Sequence, residues 1–283
     1  MSKRVWIHGA IAIDTVLYLS RIPEPGSFMQ ATRTEDRPGG TSANVALGLA
    51  STGIETGFIG YVGNDENGRI LRKVIADSAI SHSVISEIEG PTSHVLILVD
   101  DNSERTIIGM TPSRLRDLRV ADAPLQPGDI LVFVLWREEF LDDLRAAQKL
   151  GCVCVLGSAA LDDPRIEKAD LVIGSHSDFS TPVDFETQVQ RFDRIVITRG
   201  MEGATEYSQK APIYQGIFPA NAVDATGAGD SFLAGYLTGY ASNLSSAESL
   251  TLGAQWATSA VEVSSSIPPD WEKVKERWGI LKP

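Results

Sequence analysis

Six apolar runs, VWIHGAIAI, TGFIGYVG, DILVFVLW, GCVCVLG, ADLVIG and RIVITRG, constrain the fold more than any other feature of the chain. A strand with one wet face alternates apolar and polar residues, so short, nearly unbroken runs imply strands covered on both faces, as in a parallel sheet between helices. Helix-like stretches separate them. TSANVALGLAST follows Gly39-Gly40 with a Thr/Ser cap signal, ENGRILRKVIADSA has apolar residues at helical spacing, and EEFLDDLRAAQKLG closes on lysine, leucine and glycine. This alternation predicts a three-layer, mostly parallel α/β fold. With 43% hydrophobic residues over 283, the chain can fill such a core as one domain spanning 1–283.

One region breaks the rhythm. Thr92 to Gly109, TSHVLILVDDNSERTIIG, reads as two strands joined by a polar Asp-Asp-Asn-Ser turn. Together with the approach RIPEPGSFMQATRTEDRPGG it predicts a small β-sheet lid built from about 10–37 and 92–110, the alternative being an edge hairpin without function. PPDWEKVKERWG reads as a final surface helix opened by prolines.

The 25 basic and 37 acidic residues leave a net charge of −12 and a pI near 4.8, which argues against nucleic acid or an anionic membrane as partner and for a small molecule. No apolar run approaches the roughly 18 residues of a membrane helix. The first residues run straight into a strand-like segment, so the expected location is the cytoplasm. Cys152 and Cys154 alternate with valine as on one face of a buried strand, and no second cysteine pair completes a zinc site.

Two glycine-rich turns each open a helix. In PGGTSAN, Gly39 and Gly40 permit close backbone approach and Asn44 falls in the first turns that follow, where its amide can donate and accept. In DATGAGDSFLAGYLTGY, Gly227, Ala228 and Gly229 lead into a helix whose unpaired N–H groups and positive dipole end converge on the loop, which makes it an anion site. It is neither a Walker A loop, lacking Gly-Lys-Ser/Thr, nor a dinucleotide fingerprint, because Phe232 stands where the third glycine belongs. Asp230 either answers the helix dipole or acts beside the bound anion.

Together, PGGTSANVALGLASTG with GFIGYVGNDENGRIL, and later DATGAGDSFLAGYL, resemble the two signature regions of the ribokinase-like (PfkB) carbohydrate kinase family. Asp14 in GAIAID, SERTIIG and VITRGMEGA extend the likeness over nearly the whole chain. The resemblance implies ATP- and Mg²⁺-dependent transfer of the γ-phosphoryl group to a hydroxyl of a small sugar, polyol or nucleoside. It makes Asp230 the general base and the N–H groups of Gly227, Ala228 and Gly229 the anion hole, an arrangement the chemistry favours because base and phosphoryl group must both lie near the attacking oxygen. By the same likeness Asp14, Gly39, Gly40 and Asn44 contact the acceptor. Thr198, Gly200 and Gly203 form the nucleotide-side turn, and Ala254 to Ser266 border the adenine. Asp224 matches a position that in some members holds a monovalent cation such as K⁺, or else it shapes the turn.

The sequence departs from the family at several points. An Asn-x-x-Glu motif that helps organise Mg²⁺ is replaced in GSHSDF by Ser175 and Asp178, so Asp178 would reach Mg²⁺ through water. Trp136 falls where ribokinases place a substrate-contacting glutamate, and it either faces a different ring or fills core. Gly157 and Ser158 stand near a missing aspartate. Arg199 replaces an aliphatic residue and either pairs with phosphate or is a solvated charge. No clustered Lys/Arg presents itself near Asp14 or Asn44, which disfavours sugar phosphates, although Arg105 on the lid keeps them open. Unpaired lid edges favour a homodimer. The rival reading is a weak homologue serving as a sugar or nucleotide sensor.

Overall fold

The computed structural model of the chain describes residues 3–101, 105–115 and 118–280. In chain order its elements are β1 (Val5–His8), β2 (Ala12–Tyr18), β3 (Arg33–Gly39), α1 (Thr41–Ser51), β4 (Thr56–Gly63), α2 (Glu66–Ala76), β5 (His82–Ile88), β6 (His94–Val99) and β7 (Arg105–Gly109). They continue with β8 (Ile130–Phe133), α3 (Leu141–Leu150), β9 (Val153–Gly157), β10 (Ala169–Ser175), α4 (Phe185–Gln188), β11 (Phe192–Thr198), β12 (Ala204–Ser208) and β13 (Ile213–Gln215), and end with α5 (Ala228–Ala241), α6 (Ser246–Ala260) and α7 (Trp271–Trp278).

The large sheet runs β13-β12-β11-β10-β9-β8-β1-β4-β5, parallel except where β12 and β13 join antiparallel. Both faces are covered, as the unbroken apolar runs require. Val5, Ile7, Phe58 and Val196 pack with Leu49 of α1 and Phe232 and Tyr236 of α5. Trp6, Phe133, Cys154 and Phe192 pack on the opposite side with Leu144 of α3. The two cysteines are unbridged and buried, and burial pushes the Cys154 thiol up.

VWIHGAIAI divides between two sheets instead of forming one strand. Its first half is β1, and after Gly9 to Ile11 the chain re-enters as β2 of a second sheet ordered β3-β2-β6-β7. Apolar content alone carries no signal for this change of partner. The division places the small sheet at the carboxyl end of β1, between β8 and β4, where the strand order reverses and open α/β sheets receive ligands.

Cross-strand partners share a face, and the register sets Asp14 opposite Arg37 and Val95. Val16, Ile97 and Val99 cluster on that face, and Tyr18 reaches Ser264 beyond α6 with its hydroxyl 3.3 Å from the serine Oγ. The predicted hairpin is β6 with β7, antiparallel; Asn102, Ser103 and Glu104 of its turn lie outside the described residues.

Two helix starts differ from expectation. The cap of α1 is Gly40, which has no side chain to make a capping bond, and the Ala43 N–H is satisfied instead by the Ala10 carbonyl at 3.2 Å. α7 is opened by Asp270, whose carboxylate accepts from the Glu272 N–H, and its Trp271 is buried against Trp256, so the helix is docked on one face.

Candidate active site

Residues far apart in sequence meet at the amino ends of α1 and α5. The Asn44 side chain, in the second turn of α1, donates through Nδ2 to Asp230 Oδ2 in the first turn of α5, at 2.8 Å. Its other end, Oδ1, is buried and has no hydrogen-bond partner. Asp14, 5% exposed on β2, belongs to the same group, because its charge is felt at Asp230. A Cβ on Gly39 would collide with the Asp14 carboxylate, so this glycine exists to let the carboxylate lie over the backbone.

The electrostatics follow from this crowding. Burial pushes Asp230 up to about 7, and the Asp14 charge pushes the same way, while the Asn44 hydrogen bond and the positive charge of Arg105 oppose it. Asp14 rises to about 6 through burial, held back by Arg37 and His94. A carboxylate poised near neutrality can take a proton from a hydroxyl and later release it.

The loop before Asp230 has the shape of an anion cradle. Gly227 has φ +76°, and a Cβ there would collide with the Ser266 carbonyl. The first turn of α5 leaves amide groups without intrahelical carbonyls. The Ala228 N–H closes a long 3.3 Å bond onto Ala225, while the side of Gly229 is open, with nothing within 4 Å of where a Cβ would stand. Thr226 Oγ1 in the same turn, and Ser266 Oγ in the segment after α6 that packs against Gly227, are buried without partners. Asp224, 7% exposed, accepts the Thr226 N–H at 2.8 Å through Oδ1, so it does shape the turn.

Thr198, Gly200 and Gly203 sit at the carboxyl end of β11, with β10, β9 and β8 between them and β1. Asp178 lies beside them after β10; its Oδ2 accepts from Ser158 Oγ at 2.6 Å and from the Ser175 N–H at 2.8 Å. Arg199 is no solvated charge, since it donates to Thr205 Oγ1 at 3.0 Å and to the Tyr207 hydroxyl at 2.7 Å. Trp136, 6% exposed, stands edge-on to Phe133 and Phe140 and donates from Nε1 to Asp163 at 3.2 Å, which is core packing. Among the described residues no group of three or more His, Cys, Asp or Glu side chains could hold a metal ion. Mg²⁺ at a phosphate site usually takes only one or two carboxylates, so Asp178 fits such a role as a single ligand or through water.

The residue that sequence reasoning missed is Arg37. Its guanidinium nitrogens are buried and have no hydrogen-bond partner, and its charge acts on Asp14. Burying donors of an ionised group without acceptors costs several kcal/mol, so an arginine without a hydrogen bond beside Asp14 calls for an explanation. Its position opposite Asp14 depends on the β2–β3 pairing, which has no tight-turn signal in the sequence.

In a parallel α/β frame with a glycine turn at a helix amino end and a buried, neutral-range carboxylate beside it, the comparisons with known proteins indicate a phosphotransferase acting on a sugar hydroxyl. The chain belongs to the pfkB family of carbohydrate kinases, whose model matches residues 2–273. It is similar to 5-dehydro-2-deoxygluconokinase of Geobacillus kaustophilus, 27% identical over 91% of this chain and 87% of that one. It is also similar to a nucleoside kinase of Methanocaldococcus jannaschii, 26% identical over 97% and 96%. The fold matches Arabidopsis thaliana ribokinase complexed with ribose and ATP, with a TM-score of 0.76, 22% identity and 98% of each chain covered.

Proposed function

We propose that the chain transfers the γ-phosphoryl group of ATP to a hydroxyl of a small sugar, polyol or nucleoside, with Asp230 as general base. The observation that carries this is the 2.8 Å bond from Asn44 to Asp230, which holds a carboxylate of raised pKa in the turn that also forms the anion cradle. The acceptor lies against Asp14, Gly39, Gly40 and Asn44. Asp230 takes the proton of its hydroxyl as that oxygen forms the new bond to phosphorus, the bond to the ADP oxygen breaks, and ADP leaves. The N–H groups of Gly227, Ala228 and Gly229 receive the charge on the transferring group.

Thr198, Gly200 and Gly203 border the nucleotide, whose phosphates would run toward Gly227. Asp178 would hold Mg²⁺ through water, and the ion would supply charge neutralisation at the phosphates. The buried, unpartnered Thr226 hydroxyl beside Asp224 supports a K⁺ site there. Small-sheet closure over the acceptor, excluding water, is the lid function.

The outer face of the small sheet presents Leu17, Leu96, Leu98 and Ile108, which supports a homodimer through that face, to be checked by sedimentation velocity. No described helix is long and apolar enough to cross a membrane, and the two unbridged cysteines suit the reducing cytoplasm we assign.

The test is ADP release over a panel of sugars, polyols, sugar acids and nucleosides, with and without K⁺, against Asp230→Asn. Removing the base should lower kcat by about 10² to 10⁴ while nucleotide binding is kept. If no acceptor is turned over faster than by the variant, the protein is a sensor and not a kinase.

A further inference from the structure

We propose that the phosphate acceptor carries a carboxylate and that Arg37 binds it. This rests on the kinase reading and narrows its substrate class to polyhydroxy acids.

Three observations converge. First, Arg37 stands opposite Asp14 in the β2–β3 register, so both side chains leave the small sheet on the face that meets the large domain. Second, all three guanidinium nitrogens are buried and unpartnered. Third, the acidic residues nearest along its own strand are engaged elsewhere. Glu35 pairs with Arg33, and Asp36, on the opposite face, accepts from the Thr15 hydroxyl. Asp14 feels the charge of Arg37 without forming a hydrogen bond to it. Arg37 therefore has the charge of Asp14 nearby but no protein acceptor among the described residues for its buried N–H donors, which leaves those donors for a ligand.

The donors and acceptors left over describe that ligand. Asn44 Oδ1 is a buried acceptor without a donor, and Asp14 is a second acceptor, so both suit hydroxyl groups. The planar guanidinium offers paired N–H donors matched to a carboxylate. The strand register sets Arg37 opposite Asp14, at the proposed acceptor end, and its charge is felt there, while the charge of Arg105 is felt at Asp230. A phosphate on the acceptor would bring close to two negative charges against Asp14, where a carboxylate brings one.

The experiment compares kcat/KM of the full-length protein and Arg37→Met for D-gluconate, 2-keto-D-gluconate, D-glucose, D-fructose and D-fructose 6-phosphate, with thermal shift by the same five compounds. The expected result is a wild-type preference for an acid over the neutral sugars that falls about 100-fold in Arg37→Met, with the KM for ATP unmoved. Arg37→Lys should recover part of it, since charge returns without the fork, and it reports on the proposal if the methionine variant folds poorly. A wild-type preference for neutral sugars or for the phosphate, or an acid-to-neutral ratio untouched by both variants, overturns the inference and leaves the kinase reading standing. Loss of turnover for every acceptor, with no thermal shift from any, overturns both.

Discussion

The proposed phosphoryl end and the proposed acceptor end of the site are built in opposite ways. At the phosphoryl end, the proposed anion cradle and base lie in one continuous stretch, Asp224 to Asp230, and the backbone does most of the positioning through Gly227. At the acceptor end, Asp14, Arg37 and Asn44 come from β2, β3 and α1, and side chains do the positioning. A local device is tolerant of changes elsewhere in the chain but intolerant of a backbone change. A device assembled across strands can be retuned one side chain at a time, so acceptor specificity can change while the transfer chemistry is kept.

The hardest test of that contrast is Gly227→Val. A branched side chain at φ +76° is strained and would also collide with the Ser266 carbonyl, so the turn must move. We expect kcat to fall at least about 10² for every acceptor, comparable to losing one donor of an oxyanion hole, with far-ultraviolet circular dichroism unchanged. If acceptor affinity alone suffered, the two ends would not be separable in the way described.

A gentler pair of variants probes the hydrogen bond from Asn44 to Asp230 that joins the two ends. Asn44 stabilises the Asp230 carboxylate, so Asn44→Ala should raise the pKa of the base above about 7 and move the acid limb of the kcat/KM profile to higher pH. A hydrogen bond to a charged group contributes about 1.5–3 kcal/mol, so the movement should be roughly one to two pH units. The Asp14 charge destabilises the same carboxylate, so Asp14→Asn should move the limb to lower pH, by less. Shifts of the same sign in both variants would show that the limb reports a group other than Asp230.

The same two carboxyl groups set a stability trend. Each has a folded pKa above its unfolded value near 3.8, so between that value and about 6 to 7 the folded state binds more protons than the unfolded one. Stability therefore falls as pH rises through this window, and the cost is full above it. Asp230→Asn should accordingly raise Tm at pH 8 by a few °C, at about 2–4 °C per kcal/mol for a chain of this size, and raise it less at pH 5. An equal rise at both pH values would mean that repacking, not ionisation, was relieved.

What the sequence disclosed follows the same division. The parallel sheet was legible because β4, β8 and β10 are nearly unbroken apolar runs, and the proposed cradle was legible because DATGAGD is local. β5 was not, since its residues HSVISEI are half polar at a sheet edge, and β12 and β13 give only short, mixed signals. The division of VWIHGAIAI between two sheets and the meeting of Arg37 with Asp14 are facts of strand pairing. Pairing between β2 and β3 spans a long connection that no short motif encodes.

Trp136 gives the smallest effect and the finest discrimination between the two ends. It occupies a place where an acceptor contact was one of two readings, yet its ring is packed edge-on between Phe133 and Phe140 and its Nε1–H is satisfied by Asp163. Asp163 is in turn held by Arg165, which keeps its carboxyl well below the usual range, so the indole donates to a carboxylate that is already paired. Trp136→Phe removes that one donor and leaves a modest void, which should cost about 1–3 kcal/mol of stability in a denaturant titration. The acceptor KM should stay within about twofold, because a core residue changes how much of the chain is folded and not what the folded site binds. A tenfold change in KM for one acceptor only would move Trp136 out of the core and into the acceptor end, and would mean that this end extends to the carboxyl side of β8.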